Sequence, residues 1–250
     1  MKNQFRPDGL KVVVFDVDGT LYRQRPLRRA MLARLLRSYL LRPVRGWRAL
    51  RTLSAYRHAQ ESLRGGACGD MAAAQIGFVC DRTGIDRDDV VQCVEQWMER
   101  APLPILRQFR HEGLIEFLHA CRARGLRLAV LSDYPASDKL AALEVAGLFD
   151  LVLCAQTPEI GAFKPSPRGL EVALERLGVA ADECLYVGDR VDVDAAAASA
   201  AGIAAVIVSS APAPKSAGHY TVTGYPQLQD LLFGHRTDAE PQRQPIHRVA

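Results

Sequence analysis

Val12-Val13-Val14-Phe15-Asp16-Val17-Asp18-Gly19-Thr20-Leu21 carries an unbroken apolar run into two carboxylates and a glycine turn. The β-branched run, opened by Pro7-Asp8-Gly9, predicts a buried strand. Ionised carboxylates at the mouth of such a strand are costly unless a cation or hydrogen bonds compensate them. A hard, oxygen-seeking ion such as Mg²⁺ is the simplest partner for Asp16 and Asp18 together. Such an ion beside paired acids points to phosphate chemistry.

Beyond Leu21 the pattern turns helical. Met31, Leu32, Leu35, Leu36, Tyr39 and Leu40 fall on one helical face, with Arg28, Arg34 and Arg37 interleaved. Further helices are predicted over 47–63 and 71–82, and Asp86 is placed to cap a fourth running towards Arg100. No strand-like alternation interrupts residues 22–100, and Pro102 and Pro104 mark the return across a hinge.

From Gly113 the rhythm becomes helix and strand in turn. Strands are expected over 126–131, 151–154, 184–187 and 203–208, with helices between them stopped by Gly125, Gly147, Gly178 and Gly202. A last helix falls at 227–232. The alternation predicts an α/β fold with a doubly wound, mostly parallel sheet. The expected organisation is a discontinuous core of residues 1–21 and 105–234, an all-helical cap at 22–104 and a flexible tail at 235–250. The insertion, at about eighty residues, is far too long for a loop and must be a subdomain.

Bulk properties exclude several classes. The chain's 250 residues can bury a full core, and 48% hydrophobic with 24% charged residues is ordinary globular composition. A net charge of +4 is too modest to call for a nucleic acid partner by itself. No stretch is apolar for long enough to cross a membrane. Met1 to Arg6 meets the first strand almost at once, with no room for a signal peptide, so a cytoplasmic location is expected. Six cysteines without a C-x-x-C pair or zinc spacing read as small buried thiols in a reducing compartment.

In open parallel sheets, ligand groups collect at the carboxyl ends of the strands. Asp16 and Asp18, Ser132, Lys164 and Asp189 all follow predicted strands. Such a set suits a phosphoryl group and its metal, with acids holding Mg²⁺ and Ser132 and Lys164 addressing the phosphoryl oxygens.

Four stretches, in order, resemble the motifs of the haloacid dehalogenase-like hydrolase superfamily. Asp16-Val17-Asp18-Gly19-Thr20-Leu21 is similar to its first motif and Val130-Leu131-Ser132 to its second. Lys164-Pro165-Ser166-Pro167 resembles the third, and Val187-Gly188-Asp189-Arg190-Val191-Asp192-Val193-Asp194 the fourth. The likeness spans roughly residues 10–210. It implies a Rossmann-like core and a C1-type cap, because the insertion lies between the first and second motifs. It further implies that Asp16 is the nucleophile of an aspartyl-phosphate mechanism and Asp18 the general acid and then base. Mg²⁺ would be held by the Asp16 side chain, the Asp18 backbone carbonyl and the Asp189 side chain, with Ser132 and Lys164 on the phosphoryl group. Superfamily members that cleave carbon–halogen bonds lack an acid at the place of Asp18, so a phosphatase acting on a small phosphorylated metabolite is expected. Phosphonate hydrolysis would call for a cap lysine, and residues 22–100 contain none. A phosphosugar mutase keeps both acids and remains an alternative.

Two questions stay open in the sequence. Asp192 and Asp194 compete as the second acid of the fourth motif. The resemblance implies an acid four or five residues after Asp189, which Asp194 fits and Asp192 precedes by one. Asp194 would then hold the metal's water shell or orient Lys164, while either acid could instead be a helix N-terminal residue. Residues 22–64 carry twelve arginines against one acid, Glu61. These arginines fit a solvated helix face, recognition of an anionic substrate, or docking of a basic amphipathic helix at 31–41 on an anionic membrane, with Trp47 and Tyr56 as candidate anchors. A non-enzymatic protein that docks anionic lipid or nucleic acid through this cap is the rival from another class.

Overall fold

β1 (Val12–Phe15) has all four side chains excluded from solvent. A β-branched strand with no polar face can only sit inside a sheet covered on both sides. In the computed structural model, which describes residues 9–209 and 218–234, β1 is central. Parallel to it on either side lie β2 (Arg127–Ser132) and β4 (Cys184–Gly188). β3 (Leu151–Cys154), β5 (Ala204–Val208) and β6 (His219–Val222) complete a parallel sheet in the order β3-β2-β1-β4-β5-β6. The order reverses between β1 and β4, and the crevice beyond their carboxyl ends is where such folds bind ligands. Register aligns Phe15 with Val130 on one side and Val187 on the other, so Asp16 and Asp189 leave the sheet at one edge.

β6 has no counterpart in the sequence reading. It pairs with β5 alone, and of its residues only Val222 is buried. An edge strand of this kind leaves no apolar run to detect. The Pro7-Asp8 turn and the tail at 235–250 lie outside the described residues.

Between β1 and the core helices the chain forms α1 (Gln24–Ser38), α2 (Pro43–Leu63), α3 (Met71–Thr83), α4 (Arg87–Val94) with a wider turn at Glu95–Arg100, and α5 (Leu103–Leu106). Asp86 caps α4 as expected, its carboxylate accepting from the Asp88 N–H at 2.9 Å. Entry and exit are tied together where the Arg23 N–H donates to the Phe109 carbonyl (2.8 Å) and the His111 N–H to that of Leu21 (3.1 Å). This double tie joins the residues just after β1 to those just before the helix that opens at Leu114. Pro102 and Pro104 start α5, where a missing N–H costs nothing.

The single apolar face expected for α1 splits in two. Leu35 is buried against Ala49, Leu53 and Trp97, with Met31 and Tyr39 half-buried beside it. The neighbouring row is left in solvent, with Leu32 47%, Leu36 53% and Leu40 76% exposed. The cap cluster is only wide enough to cover one i, i+4 row.

The core helices are α6 (Leu114–Ala123), α7 (Ser137–Ala142), α8 (Arg168–Leu177), α9 (Ala196–Ala200) and α10 (Tyr225–Phe233). Val13 and Phe15 face one apolar cluster with Phe117, Leu140 and Tyr225, while Val12 and Val14 face the other with Leu170 and Ala197. That alternation is the two-residue period of a strand covered on both faces. All six cysteines are free thiols. Among the described residues no helix is long and apolar enough to cross a membrane.

Candidate active site

Asp16 ends β1 with its N–H donating to the Val187 carbonyl at 2.9 Å, which fixes its direction relative to β4. Its two carboxylate oxygens have separate partners. Lys164 Nζ donates to Oδ1 at 2.6 Å and the Thr20 hydroxyl to Oδ2 at 2.9 Å. Tyr225 on α10 donates its hydroxyl to the Thr20 carbonyl at 2.9 Å, pinning the turn to the core. Gly19 adopts φ +112°, and a Cβ there would lie 2.2 Å from Asp189 Oδ2, so glycine serves both the turn and the close approach of the second acid.

Asp18 faces the cap side. Lys139, from the first turn of α7, donates to both its oxygens at 2.7 and 2.9 Å, and the Tyr22 hydroxyl donates to Oδ1. Burial pushes the Asp18 carboxyl up, but the Lys139 ammonium and the hydrogen bonds from Lys139 and Tyr22 outweigh it and hold the group below the ordinary carboxylate range. Neither Tyr22 nor Lys139 was legible as a site residue. Tyr22 sits four residues past Asp18, and Lys139 opens the helix that follows a strand end, a weak cue at 121 residues' separation.

Of the rival acids, Asp194 reaches the site and Asp192 does not. Asp194 Oδ1 accepts from Lys164 Nζ (2.7 Å) and the Tyr186 hydroxyl (3.0 Å), and Oδ2 accepts from the backbone N–H groups of Asp189 (3.1 Å) and Arg190 (3.0 Å). Asp192 is exposed and pairs with Arg190. A buried carboxylate with four donors is well compensated. Asp189 is not: among the described residues its side chain has no hydrogen bond or ion pair.

Asp16, Asp189 and Asp194 offer oxygens within 4.8 Å of one another, with one ammonium, Lys164, between them. Burial raises Asp16 to about 6, Asp194 adding to the rise and Lys164 opposing it. Burial, Asp16 and Asp194 push Asp189 up to about 8. The cluster is short of positive charge, and an all-oxygen donor set of this kind fits a hard divalent ion.

Ser132 closes β2 at the same edge and is buried, its Oγ accepting from the Tyr134 N–H at 3.2 Å, and it does not line the cavity. The cavity above Asp16 measures about 160 Å³. Its floor is formed by Asp16, Asp18, Lys164 and Asp189, and its roof by cap residues that include Arg28, Arg57 and Trp97. Asp133 fastens roof to floor, accepting from Gln60 Nε2 (2.8 Å) and Arg64 Nη1 (3.0 Å), while Arg190 pairs with Glu61 at 2.8 Å. These ties join residues far apart in the chain, and no local pattern announced them.

A family model described as haloacid dehalogenase-like hydrolase matches residues 10–202. The chain belongs to the haloacid dehalogenase-like hydrolases. A phosphoglycolate phosphatase of Rhodospirillum rubrum is 30% identical over 203 residues, which cover 80% of this chain and 79% of that protein. A glyceraldehyde 3-phosphate phosphatase of Methanocaldococcus jannaschii is 30% identical across 54% of this chain and 60% of its own length. Among solved structures, a 2-haloacid dehalogenase from Pseudomonas syringae superposes with a TM-score of 0.61 at 23% identity, covering 89% of this chain and 98% of that one. A HAD phosphatase from Thermococcus onnurineus gives 0.61 at 21% identity, covering 91% and 100%. These structural likenesses establish the fold.

One glycine of this hydrolase can be tested directly. A Cβ on Gly188 would lie 2.4 Å from Asp194 Cβ, and the four hydrogen bonds on Asp194 leave it nowhere to move. Gly188→Ala is expected to cost about 1–3 kcal/mol. A melting curve should show a loss of roughly 2–4 °C per kcal/mol in a chain of this size. An unchanged melting temperature would mean that Asp194 is not locked as described.

Proposed function

We propose that this hydrolase releases phosphate from a small phosphomonoester in a Mg²⁺-dependent reaction that passes through an aspartyl-phosphate on Asp16. The observation that carries the reading is the clamp on Asp16, whose carboxylate is held by Lys164 and Thr20 at the floor of a cavity with a second carboxylate, Asp18, beside it. The cytoplasmic location belongs to the same proposal and is supported by the six free thiols.

In the first step an Asp16 oxygen attacks phosphorus and the bond from phosphorus to the ester oxygen breaks. Asp18 delivers a proton to the departing oxygen. The negative charge of the incoming phosphoryl group opposes the pull of Lys139 and favours the protonated form of Asp18 that this step needs. In the second step water attacks phosphorus, Asp18 takes its proton, and the bond from phosphorus to Asp16 breaks to free phosphate. Lys164 neutralises charge on Asp16 and on the phosphoryl oxygens throughout, and Asp194 and Tyr186 hold its ammonium in place. Ser132 belongs to the same reading as a donor to a phosphoryl oxygen. It is buried at the end of β2 outside the cavity lining, so this contact would require its hydroxyl to turn towards the cavity when substrate binds. The Asp16 and Asp189 carboxylates and the Asp18 carbonyl would hold the metal, whose charge, when bound, stabilises the transferring group.

Selectivity falls to the roof. Arg28 and Arg57 line the cavity without a hydrogen bond or ion pair among the described residues. Burial and the neighbouring Arg28 both disfavour the charge on Arg57. Two unpaired guanidinium groups above the phosphate site suit a leaving group that bears an anion of its own, such as a carboxylate. Phosphoglycolate, the ester named for the Rhodospirillum rubrum relative, bears such a carboxylate, whereas glyceraldehyde 3-phosphate does not.

The test is a phosphate-release screen over phosphorylated metabolites with Mg²⁺, Asp16→Asn serving as the blank. No release above that blank from any ester would sink the reading, and transfer without free phosphate would indicate a mutase. Arg28→Gln with Arg57→Gln is expected to raise KM roughly ten- to hundredfold for carboxylate-bearing esters. KM for esters with neutral tails should hardly change. An equal loss on both ester types would remove the assignment of these arginines.

A further inference from the structure

The far end of the cap carries a surface that the reaction does not use. Leu32, Leu36, Leu40, Leu41, Val44 and Trp47 are exposed by 47%, 53%, 76%, 93%, 79% and 70%. They occupy the second half of α1, the link to α2 and its first turns, and so form one knuckle at a helix–turn–helix tip. The other large apolar side chains exposed among the described residues, such as Val152 and Leu231, lie singly on other elements. Clustered apolar exposure of this kind marks an interaction site, whereas single exposed residues need no explanation.

Charge says what the site meets. Arg37, Arg42, Arg45 and Arg51 interleave with the apolar residues, and their guanidinium groups have no hydrogen bond or ion pair among the described residues. No Asp or Glu occurs from Gly19 to Gln60. Asp89 reaches this region from α4 but is taken up by Arg48 at 2.6 Å. A second copy of the chain would therefore bring the unpaired arginines of one knuckle against those of the other, at a repulsive cost. A nucleic acid would answer the arginines and leave six apolar side chains without a partner. An anionic bilayer answers both, because its phosphates meet the arginines while its acyl boundary takes the leucines, and tryptophan favours the interface between the two. The surface faces away from the chemistry: Leu27, Arg28 and Met31 of α1 line the cavity, whereas Leu32 and Leu36 are exposed on the neighbouring row and Leu40 to Trp47 lie beyond the end of that helix.

We propose that this knuckle docks the enzyme on anionic lipid bilayers, with Leu40, Leu41, Val44 and Trp47 entering the acyl boundary and the unpaired arginines contacting headgroup phosphates.

The experiment is co-sedimentation of the full chain with phosphatidylcholine vesicles, with and without phosphatidylglycerol, over a range of salt. Binding is expected only with phosphatidylglycerol and should weaken as salt rises. Each arginine near such a surface contributes about fivefold in affinity, so Arg42→Gln with Arg45→Gln should weaken binding roughly 25-fold. Leu41→Gln with Trp47→Gln should abolish it, with unchanged melting temperature and unchanged phosphate release from a soluble ester. Trp47 emission should shift to the blue on anionic vesicles. Absence of sedimentation at low salt, equal binding to neutral vesicles, or full binding by the Leu41/Trp47 variant would each overturn the proposal. So would a dimer that the same variant dissociates, since the knuckle would then belong to a second copy.

Discussion

Asp16→Asn is expected to lower phosphate release by at least about 10⁴-fold, the order seen when a nucleophile is removed from an otherwise intact site. The amide keeps the shape of the carboxylate and still accepts from Lys164, so the loss should come without unfolding. Stability provides the control. Asp16 titrates at about 6 in the folded chain against 3.8 for a free carboxyl, because burial and Asp194 oppose its charge. A raised carboxyl pKa means that ionisation favours unfolding, a penalty absent below the unfolded value and complete above the folded one. At neutral pH the metal-free Asn variant should therefore melt no lower than the parent. Activity lost together with a markedly lower melting temperature would point to a structural role. Retained turnover would remove Asp16 as nucleophile.

Asp18→Asn should cost roughly 10²–10⁴-fold, the range of a positioned general acid and base. The size of the loss should depend on the ester. An alkyl phosphate needs its departing oxygen protonated, whereas a nitrophenyl phosphate leaves as a stable anion, so the first step should suffer far more for the alkyl ester. Lys139 and Tyr22 would remain in place around the amide, keeping the site's shape. Single-turnover kinetics on both esters would check this. An identical loss for both in the phosphorylation step would sink the acid role, since proton delivery is the part that a good leaving group does without.

Much of this architecture was readable from the chain because its strands are buried on both faces. Val12 to Phe15, Leu128 to Leu131 and Cys184 to Val187 are apolar runs, and a run needs no partner to be recognised. The groups that follow such runs necessarily meet at one sheet edge once the strands are parallel and in register. His219 to Val222 escaped because an edge strand with one partner needs no such run. Along α1 periodicity shows that apolar rows exist, and the width of the opposing cap cluster decides how many are covered.

The amino-acid order alone determined the fold class, the family resemblance and the strand-end positions of Asp16, Asp18, Ser132 and Asp189, because periodicity and strand-end position are local properties. Lys164, in a turn well beyond β3, was marked by the motif resemblance instead. Tertiary structure decided what lies across long separations. It gave Asp194, which motif spacing already favoured, its four donors and its hold on Lys164, and it brought Lys139 to Asp18 from 121 residues away. From one pool of cap arginines it left Arg28 and Arg57 unpaired above the cavity, tied Arg64 to Asp133 and set others around an apolar knuckle. A charge acquires its role from what stands within a few ångströms, and only the folded chain sets those distances.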